Sequence, residues 1–302
     1  MSDKVDRRLK TALDEARLLI LGVQILLGFE FQCVFQDGFE GLTQGSKQLS
    51  MSALGLILLS TAILIAPSMQ HRIVESGQST SRLIRTTNML SGAALIPLAI
   101  GMTLSVYMVT ERAFGSTTGI ATASLLFVAS TFFWFGLEFL VGRSRGSETM
   151  QTSSTPLKTR IEQLLTEARL IIPGGQALLG FQFVAMLTSA FDRLPESAKL
   201  AHALALCLIG MNVIIMMTPA ALHRLSFGGE DSPRFFKLGS RLVTIGPAFL
   251  AAGISVEVYV VFIKALHNPQ GAIAAAVAAA FVFVVFWYVW PLALRRSVGS
   301  EV

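Results

Sequence analysis

Apolar residues along this chain come in eight blocks, each close to the length of a membrane-spanning helix. The hydrocarbon core of a bilayer is about 30 Å thick, and a helix needs about 20 mostly apolar residues to cross it. Short polar connections separate the blocks, which cover residues 18–36, 50–67, 89–110, 120–141, 170–191, 202–219, 242–263 and 272–294. This pattern predicts an all-α, polytopic membrane protein with eight transmembrane helices, and it disfavours a soluble helical protein.

The second half of the chain repeats the first. The string EARLLILGVQILLGFEF at 15–31 returns 152 residues later as EARLIIPGGQALLGFQF at 167–183. The same offset relates Pro67 to Pro219 and Tyr107 to Tyr259, and it holds to the last block without a gap. Such self-similarity predicts a duplicated unit of four helices. The predicted boundaries are a first repeat at 1–145, a polar linker at 146–155 and a second repeat at 156–302.

Lysine and arginine residues predict the orientation of these helices. If every block spans, 19 of the 24 cations fall on the side of the N-terminus and 5 on the other side. Cytoplasmic loops carry such an excess of positive charge, so both termini are predicted to be cytoplasmic. We call this side the inner end. Because four spans per repeat is an even number, both repeats point the same way.

The composition agrees with a membrane protein and gives no indication of nucleic-acid binding. The chain is 53% hydrophobic and 14% charged, whereas soluble domains carry about 25% charged residues. Its mean hydropathy is +0.62. The net charge of +5 is accounted for by the inner loops, which leaves no argument for nucleic acid. Residues 1–17 are charged throughout and have no cleavage site, so no secretory signal peptide is expected. We predict a multi-pass protein of the bacterial inner membrane.

The first helix of each repeat has one face that is identical in both copies. On a helical wheel this face combines polar, small and apolar side chains, and we expect it to contact protein. The amides Gln24 and Gln176 have two interpretations, a hydrogen bond between helices or a contact with a ligand or ion. The face holds Ala16, Arg17, Ile20, Gln24, Leu27, Gly28 and Phe31, repeated as Ala168, Arg169, Ile172, Gln176, Leu179, Gly180 and Phe183.

A second set of polar residues is predicted to gather at the inner end. The second helix of each repeat ends in P-x-x-x-H-R, on the side where the first helix carries its E-x-R. Pairs Glu15–Arg72 and Glu167–Arg224 would satisfy the charges within each copy. One interpretation is interfacial anchoring by arginine, and the other is a pH-sensitive gate or proton entry. The residues are Glu15, His71 and Arg72 in one copy, and Glu167, His223 and Arg224 in the other.

Acidic residues inside apolar blocks are candidates for function, because a carboxylate in hydrocarbon is costly. Glu30 and Glu257 lie within two turns of the outer end, where water is expected to reach them, and Glu138 lies near the inner end. None is repeated, since Gln182 and Ser105 stand in the equivalent positions of Glu30 and Glu257. A carboxylate with a chemical role would therefore make the halves unequal.

No catalytic or metal-binding motif occurs. The four histidines are too dispersed to predict a metal site, and Cys33 and Cys207 fall inside apolar blocks as small buried residues. We therefore expect no enzyme activity, no cofactor and no metal.

Two sequence strings, E-x-R-x-x-x-P-G-x-Q-x-L-x-x-F and P-x-x-x-H-R, relate the chain to a known family. With them the chain resembles a family of small bacterial four-span membrane proteins catalogued as a domain of unknown function, and the resemblance covers nearly the whole chain as a tandem duplication. In the first copy Leu21 replaces the proline. The family implies no activity, cofactor or substrate. The matching residues are Glu167, Arg169, Pro173, Gly174, Gln176, Leu178, Phe181, Pro219, His223 and Arg224.

Two classes of function remain open. One is a transporter or binding protein for a small solute or ion, with a path between the repeats lined by Gln24, Gln176, Arg17, Arg169, Glu30 and Glu257. The other is a structural or accessory subunit of a membrane complex, in which the same residues are contacts between helices. The partners to consider are the lipid bilayer, another membrane protein and a second copy of this chain.

Overall fold

The computed structural model describes residues 2–136, 156–225 and 232–299, and the described part consists of helices and short turns without a strand. The predicted linker at 146–155 and Glu138 lie outside the described residues. Two π-helical turns follow α5 and α10, at Phe132–Gly136 and Val285–Val289. The helices are α1 Ser2–Cys33, α2 Asp37–Glu40, α3 Gln44–Ile73, α4 Ser81–Phe114, α5 Ser116–Thr131, α6 Leu157–Met186, α7 Ser189–Asp192, α8 Glu196–Leu225, α9 Pro233–Leu266, α10 Pro269–Val284 and α11 Trp290–Gly299.

Five described helices are long and apolar enough to cross a membrane. They are Gln44–Ile73, Ser81–Arg112, Glu196–Ala220, Pro233–Leu266 and Pro269–Arg296. Helix α1 has a shorter apolar stretch at Leu19–Cys33, and α6 is less apolar because Arg169, Gln176 and Gln182 interrupt it. The chain is therefore a membrane protein by the length and composition of its helices. Eight spans remain the prediction from the sequence.

Short polar side chains begin four of the long helices, α3, α4, α9 and α10. Such side chains accept a hydrogen bond from a backbone N–H that the first turn leaves free. Thr80 caps α4 by accepting from the Leu83 N–H at 3.1 Å, and Ser232 caps α9 in the same way. Asn268 caps α10, whose first residue is a proline. These caps place the helix starts where the sequence changes from polar to apolar.

Helices α1 and α6 pack against each other, and each also packs against the second and third long helices of its own half. Equivalent residues meet there: the Phe29 and Phe181 ring centroids are 4.7 Å apart, and Ser189 donates to Asp37 at 3.3 Å. Each of these pairs is related by the repeat offset of 152 residues. Contacts between equivalent residues are those that a local twofold relation between two halves predicts.

Equivalent residues of α1 and α6 are nevertheless buried to different extents. On α1 the shared face is buried, with Gln24 at 0% and Phe31 at 3% exposure. On α6 the equivalent Gln176 is exposed, and Phe183 is 54% exposed. The expectation that this face contacts protein is confirmed for its described side chains on α1, whereas on α6 Ala168 is buried and Arg169, Gln176, Gly180 and Phe183 are exposed.

Two adjacent glycines of α6 explain this difference. Gly174 and Gly175, which we call the glycine notch, leave the helix without side chains where α1 and α8 approach it. A Cβ atom on Gly174 would lie 1.5 Å from Oε1 of Gln24, and one on Gly175 would lie 3.0 Å from Nδ2 of Asn212. The first copy has Gly22 and Val23 at these positions, and nothing lies within 4 Å of a Cβ on Gly22. Gln24 therefore enters the surface of α6, and α1 offers Gln176 no equivalent notch.

Equivalent glycines should respond to alanine with opposite signs. Gly174→Ala is expected to destabilise the fold by about 1–3 kcal/mol, because the new methyl group overlaps Gln24. Gly22→Ala serves as the matched control and should be neutral or stabilising by up to about 1 kcal/mol, because alanine favours a helix over glycine. Thermal unfolding of both variants in the same detergent checks this. Equal effects at the two positions would contradict the unequal packing.

Candidate functional site along α6

Polar groups lie along the whole buried face of α6. Glu167 is fully buried near one end, and Gln182, fifteen residues later, is 2% exposed near the other. At 1.5 Å per residue they are about 22 Å apart along the helix axis. The face receives side chains from α1, α3, α8 and α9, so it lies partly inside the second half and partly between the halves. Three levels can be distinguished along it.

The inner cluster consists of Glu167, His71 and Arg72. Glu167 accepts hydrogen bonds from Nδ1 of His71 and from Nε and Nη2 of Arg72, the last at 2.8 Å. All three residues are at most 5% exposed. His71 and Arg72 lie in the last turn of α3, where a helix favours positive charge. His71 and Arg72 thus share one carboxylate, and Nε2 of His71 has no hydrogen-bond partner within the described residues.

The inner cluster corrects the predicted pairing. A Glu15–Arg72 pair within the first copy was expected, but Arg72 binds Glu167 of the second copy. The reason is that the end of α3 reaches the first turns of α6 in the other half. The side chains of Glu15, Arg17 and Arg224 lie outside the described residues. His223 is half-buried, and its ring centroid lies 4.7 Å from that of Phe235.

Further polar contacts attach the start of α6 to the turn between α3 and α4. Nε2 of Gln163 donates to the Ser79 hydroxyl at 2.7 Å, and Nη2 of Arg160 donates to the Ser76 carbonyl at 2.5 Å. The guanidinium of Arg160 also lies over the Phe236 ring, 4.2 Å from its centroid. The inner end of α6 is therefore fixed to the first half by charge and hydrogen bonds, and to α9 of its own half by an aromatic contact.

The middle level consists of two amide side chains at the glycine notch. Gln24 and Asn212 are both 0% exposed, and none of their four polar atoms has a hydrogen-bond partner within the described residues. Buried amides are nearly always hydrogen-bonded, because leaving one unsatisfied costs about 1–3 kcal/mol. Pro173, directly before the notch, has no N–H to donate along the helix. This level is therefore where the buried face leaves polar groups unsatisfied.

The outer cluster consists of Glu257, His202 and Gln182. Gln182 donates to Glu257 at 2.9 Å, Nδ1 of His202 lies 3.0 Å from the same carboxyl group, and Nε2 of His202 lies 3.2 Å from the Gln182 carbonyl. Since a carbonyl only accepts, Nε2 must carry a hydrogen. The contact between Nδ1 and Glu257 then contains a further proton, on the ring or on the carboxyl group. The histidine ring and the carboxyl group thus face each other in the protein interior, and both contact Gln182.

The first half has an equivalent of the outer cluster, with the carboxylate on a different helix. The Ser105 hydroxyl donates to Glu30 at 2.5 Å, and the buried hydroxyl of Ser50 has no partner within the described residues. These residues are equivalent to Glu257, Gln182 and His202 by the repeat offset. Each half thus holds one carboxylate between its first and third long helices. Neither acid is repeated at its own position, but each contacts the residue that stands where the other half has its acid.

The remaining sequence candidates lie elsewhere. Arg169 and Gln176 are exposed on the side of α6 away from the buried face. Glu257 is 1% exposed, so the expectation that water reaches it is wrong, while Glu30 is part-buried. Within the described residues, no three of His, Cys, Asp and Glu come together as metal ligands. Asn212 and His202 were missed by the sequence analysis, because each stands alone in an apolar block and its counterpart is a serine.

Comparison with known proteins gives one match. The sequence profile of one protein family matches the chain twice, over residues 1–138 and 151–291, which is consistent with a tandem duplication. No curated protein and no solved structure matches the chain.

Proposed function

Because the chain belongs to DUF6328, a family of unknown function, its activity has to be argued from its own residues, and we propose that it moves protons across a membrane along the buried face of α6. The observation that carries this proposal is a titratable histidine–carboxylate pair at each end of that face, with two unpaired amides between them. Ionisable groups inside a membrane protein commonly form proton relays. The proposed arrangement is eight spans in two parallel repeats in the bacterial inner membrane, with cytoplasmic termini.

Each level has a part in the proposed path. The Glu257–His202 pair takes up and releases one proton at the outer end. The unpaired Nε2 of His71 is the corresponding proton acceptor at the inner end. Gln24 and Asn212 can each donate and accept, so they can orient water at the glycine notch. Because the ends are about 22 Å apart, water between the levels is part of the path.

An accessory role is the second candidate, and a specific observation favours it. Both carboxyl oxygens of Glu167 are occupied by His71 and Arg72, and this contact crosses from one half to the other. A group that is fully occupied in this way holds helices together. In this alternative the polar face of α6 only fixes the packing, and the protein serves a larger membrane complex without a flux of its own.

Glu257→Gln distinguishes the two candidates. Glutamine keeps the shape of the side chain and can still bond to Gln182, but it cannot exchange a proton with His202. We expect the variant to lower proton flux by about tenfold or more, which corresponds to about 1.4 kcal/mol in the barrier. The measurement is acidification of liposomes that contain the purified protein and a pH-sensitive dye, driven by an imposed potassium diffusion potential.

Glu196→Gln is the matched control. Glu196 is exposed at the start of α8 and bonds only to Lys199 within the described residues, so its loss should leave the flux unchanged. Circular dichroism and thermal unfolding establish that both variants fold. If liposomes with the wild-type chain acidify no faster than empty ones, or if Glu257→Gln keeps the full flux, proton transport is wrong and the accessory role is favoured.

A further inference from the structure

A charged cavity of about 470 Å³ lies at the outer end, opposite the inner cluster. Residues of both halves form its wall, and they come from α2, the first turn of α3, the last turn of α9, the connections before α8 and α10, and the first residue of α10. The charged and titratable residues at its wall are Glu40, Lys47, Arg193, Lys264 and His267. The cavity volume lies within the range of about 300–1,000 Å³ that is usual for binding sites of small molecules.

Positive charge exceeds negative charge at this wall. Glu40 is the one acid there, and it accepts hydrogen bonds from Lys264 at 2.5 Å and from Arg193 at 3.0 Å. These two donors lower the pKa of the Glu40 carboxyl to about 2, so it is ionised at neutral pH. Three cations and one carboxylate leave an excess of two positive charges, and Lys47 has only the Phe39 ring, 6.0 Å away, as a described neighbour for its charge.

One cation of the cavity wall, Lys264, is buried and not part of the exposed surface. It is 5% exposed, whereas its partner Glu40 is 47% exposed and Arg193 is 52% exposed. A buried ammonium needs an anion beside it, because removing an unpaired charge from water is costly. Glu40 supplies one from the solvent side, where an incoming anion would compete with it for Lys264.

Two helix starts add to the positive potential. Leu194 and Pro195 of the wall directly precede α8, and Pro269 of the wall is the first residue of α10. The N-terminal end of a helix carries a partial positive charge and favours anions. Both helices therefore reinforce the attraction that Lys47, Lys264 and Arg193 exert on a negative group.

We propose that this outer cavity binds a phosphate group, either as free inorganic phosphate or as the head group of an anionic phospholipid. Phosphate matches cations arranged around a concave site, with Arg193 available for bidentate contact and the lysines as point charges. The cavity lies at the outer ends of α3 and α9, at the level where a lipid head group meets protein. This site is separate from the buried face of α6 and does not depend on proton transport.

The test uses the full chain in detergent and two probes. Inorganic phosphate is titrated by calorimetry, and nanodiscs of phosphatidylglycerol or of phosphatidylcholine are compared by the thermal unfolding of the protein. Binding of inorganic phosphate assigns a soluble anion. Stabilisation by phosphatidylglycerol over phosphatidylcholine, without binding of free phosphate, assigns a lipid head group. If neither probe binds or stabilises, the proposal is overturned.

Two substitutions in the wall should act in opposite directions. Lys47→Gln removes a cation and is expected to weaken binding about tenfold. Glu40→Gln removes the competing carboxylate, so it should tighten binding and enlarge the stabilisation by ligand. Lys199→Gln is the control, since Lys199 bonds to Glu196 outside the cavity wall and its loss should change nothing. Equal changes for Lys47→Gln and Lys199→Gln, or weaker binding by Glu40→Gln, would overturn the proposal.

Discussion

Glu167→Ala is expected to destabilise the folded protein by about 3–5 kcal/mol, the usual cost of leaving a buried charge without its partner. Arg72 would remain at 5% exposure with no carboxylate beside it, and His71 would lose the acceptor of its Nδ1 hydrogen. The inner cluster joins the two halves, so the variant should also loosen the contact of α3 with α6. Thermal and denaturant unfolding in one detergent measure the change.

Glu162→Ala is the matched control for this prediction. Glu162 lies on the same helix, five residues earlier, and is exposed; its loss should change stability by less than about 0.5 kcal/mol. The double variant Glu167→Leu with Arg72→Met removes both charges and should recover much of the loss, because a buried ion pair can often be replaced by apolar groups of similar volume. A Glu167→Ala variant as stable as the wild type would contradict the described cluster.

Ser105→Glu should have the second large effect. It places a second carboxylate beside Glu30, whose oxygen already accepts from the Ser105 hydroxyl at 2.5 Å. Two like charges about 4 Å apart repel by about 4 kcal/mol at an effective dielectric constant of 20. We therefore expect strong destabilisation, measured again by thermal unfolding in detergent.

Adding Glu30→Gln to Ser105→Glu should restore most of this stability. The double variant has the arrangement of the second half, in which Gln182 donates to Glu257 at 2.9 Å. Adding Ser50→His completes the likeness, because His202 stands at that position in the second half. A double-mutant cycle measures the coupling between positions 30 and 105. Additive effects would show that the two halves do not share an equivalent carboxylate site.

These two sites also show which features of the fold could be predicted from the sequence. Apolar blocks and their offset predicted the helices and the duplication, because the length of a membrane helix and the identity of repeated positions are properties of the chain itself. The exchange of Glu30 and Ser105 for Gln182 and Glu257 was visible in the sequence as two unrelated differences. Only the packing of the first helix against the third shows that the two differences compensate each other, because the residues are in contact.

The partners of the inner cluster could not be predicted. Sequence placed Glu167, His71 and Arg72 at the same end of the protein, since helix length fixes the level of each residue. It could not decide between a contact within one copy and a contact between copies, because both bring together the same residue types at the same level. The choice depends on which helix of the other half α6 meets.

The sequence by itself determined the helices, their duplication and the end at which each charged residue lies, because hydrophobicity and spacing act along one chain. The tertiary structure decided which face of each first helix is buried. Gln24 and Gln176 are equivalent positions of the repeat, yet one is buried and the other exposed, since only α6 has the paired glycines that let another helix approach its backbone. When two nearly equal helices pack together, a difference of one side chain decides which helix buries its glutamine against the other. That difference has an effect only when the two helices are in contact.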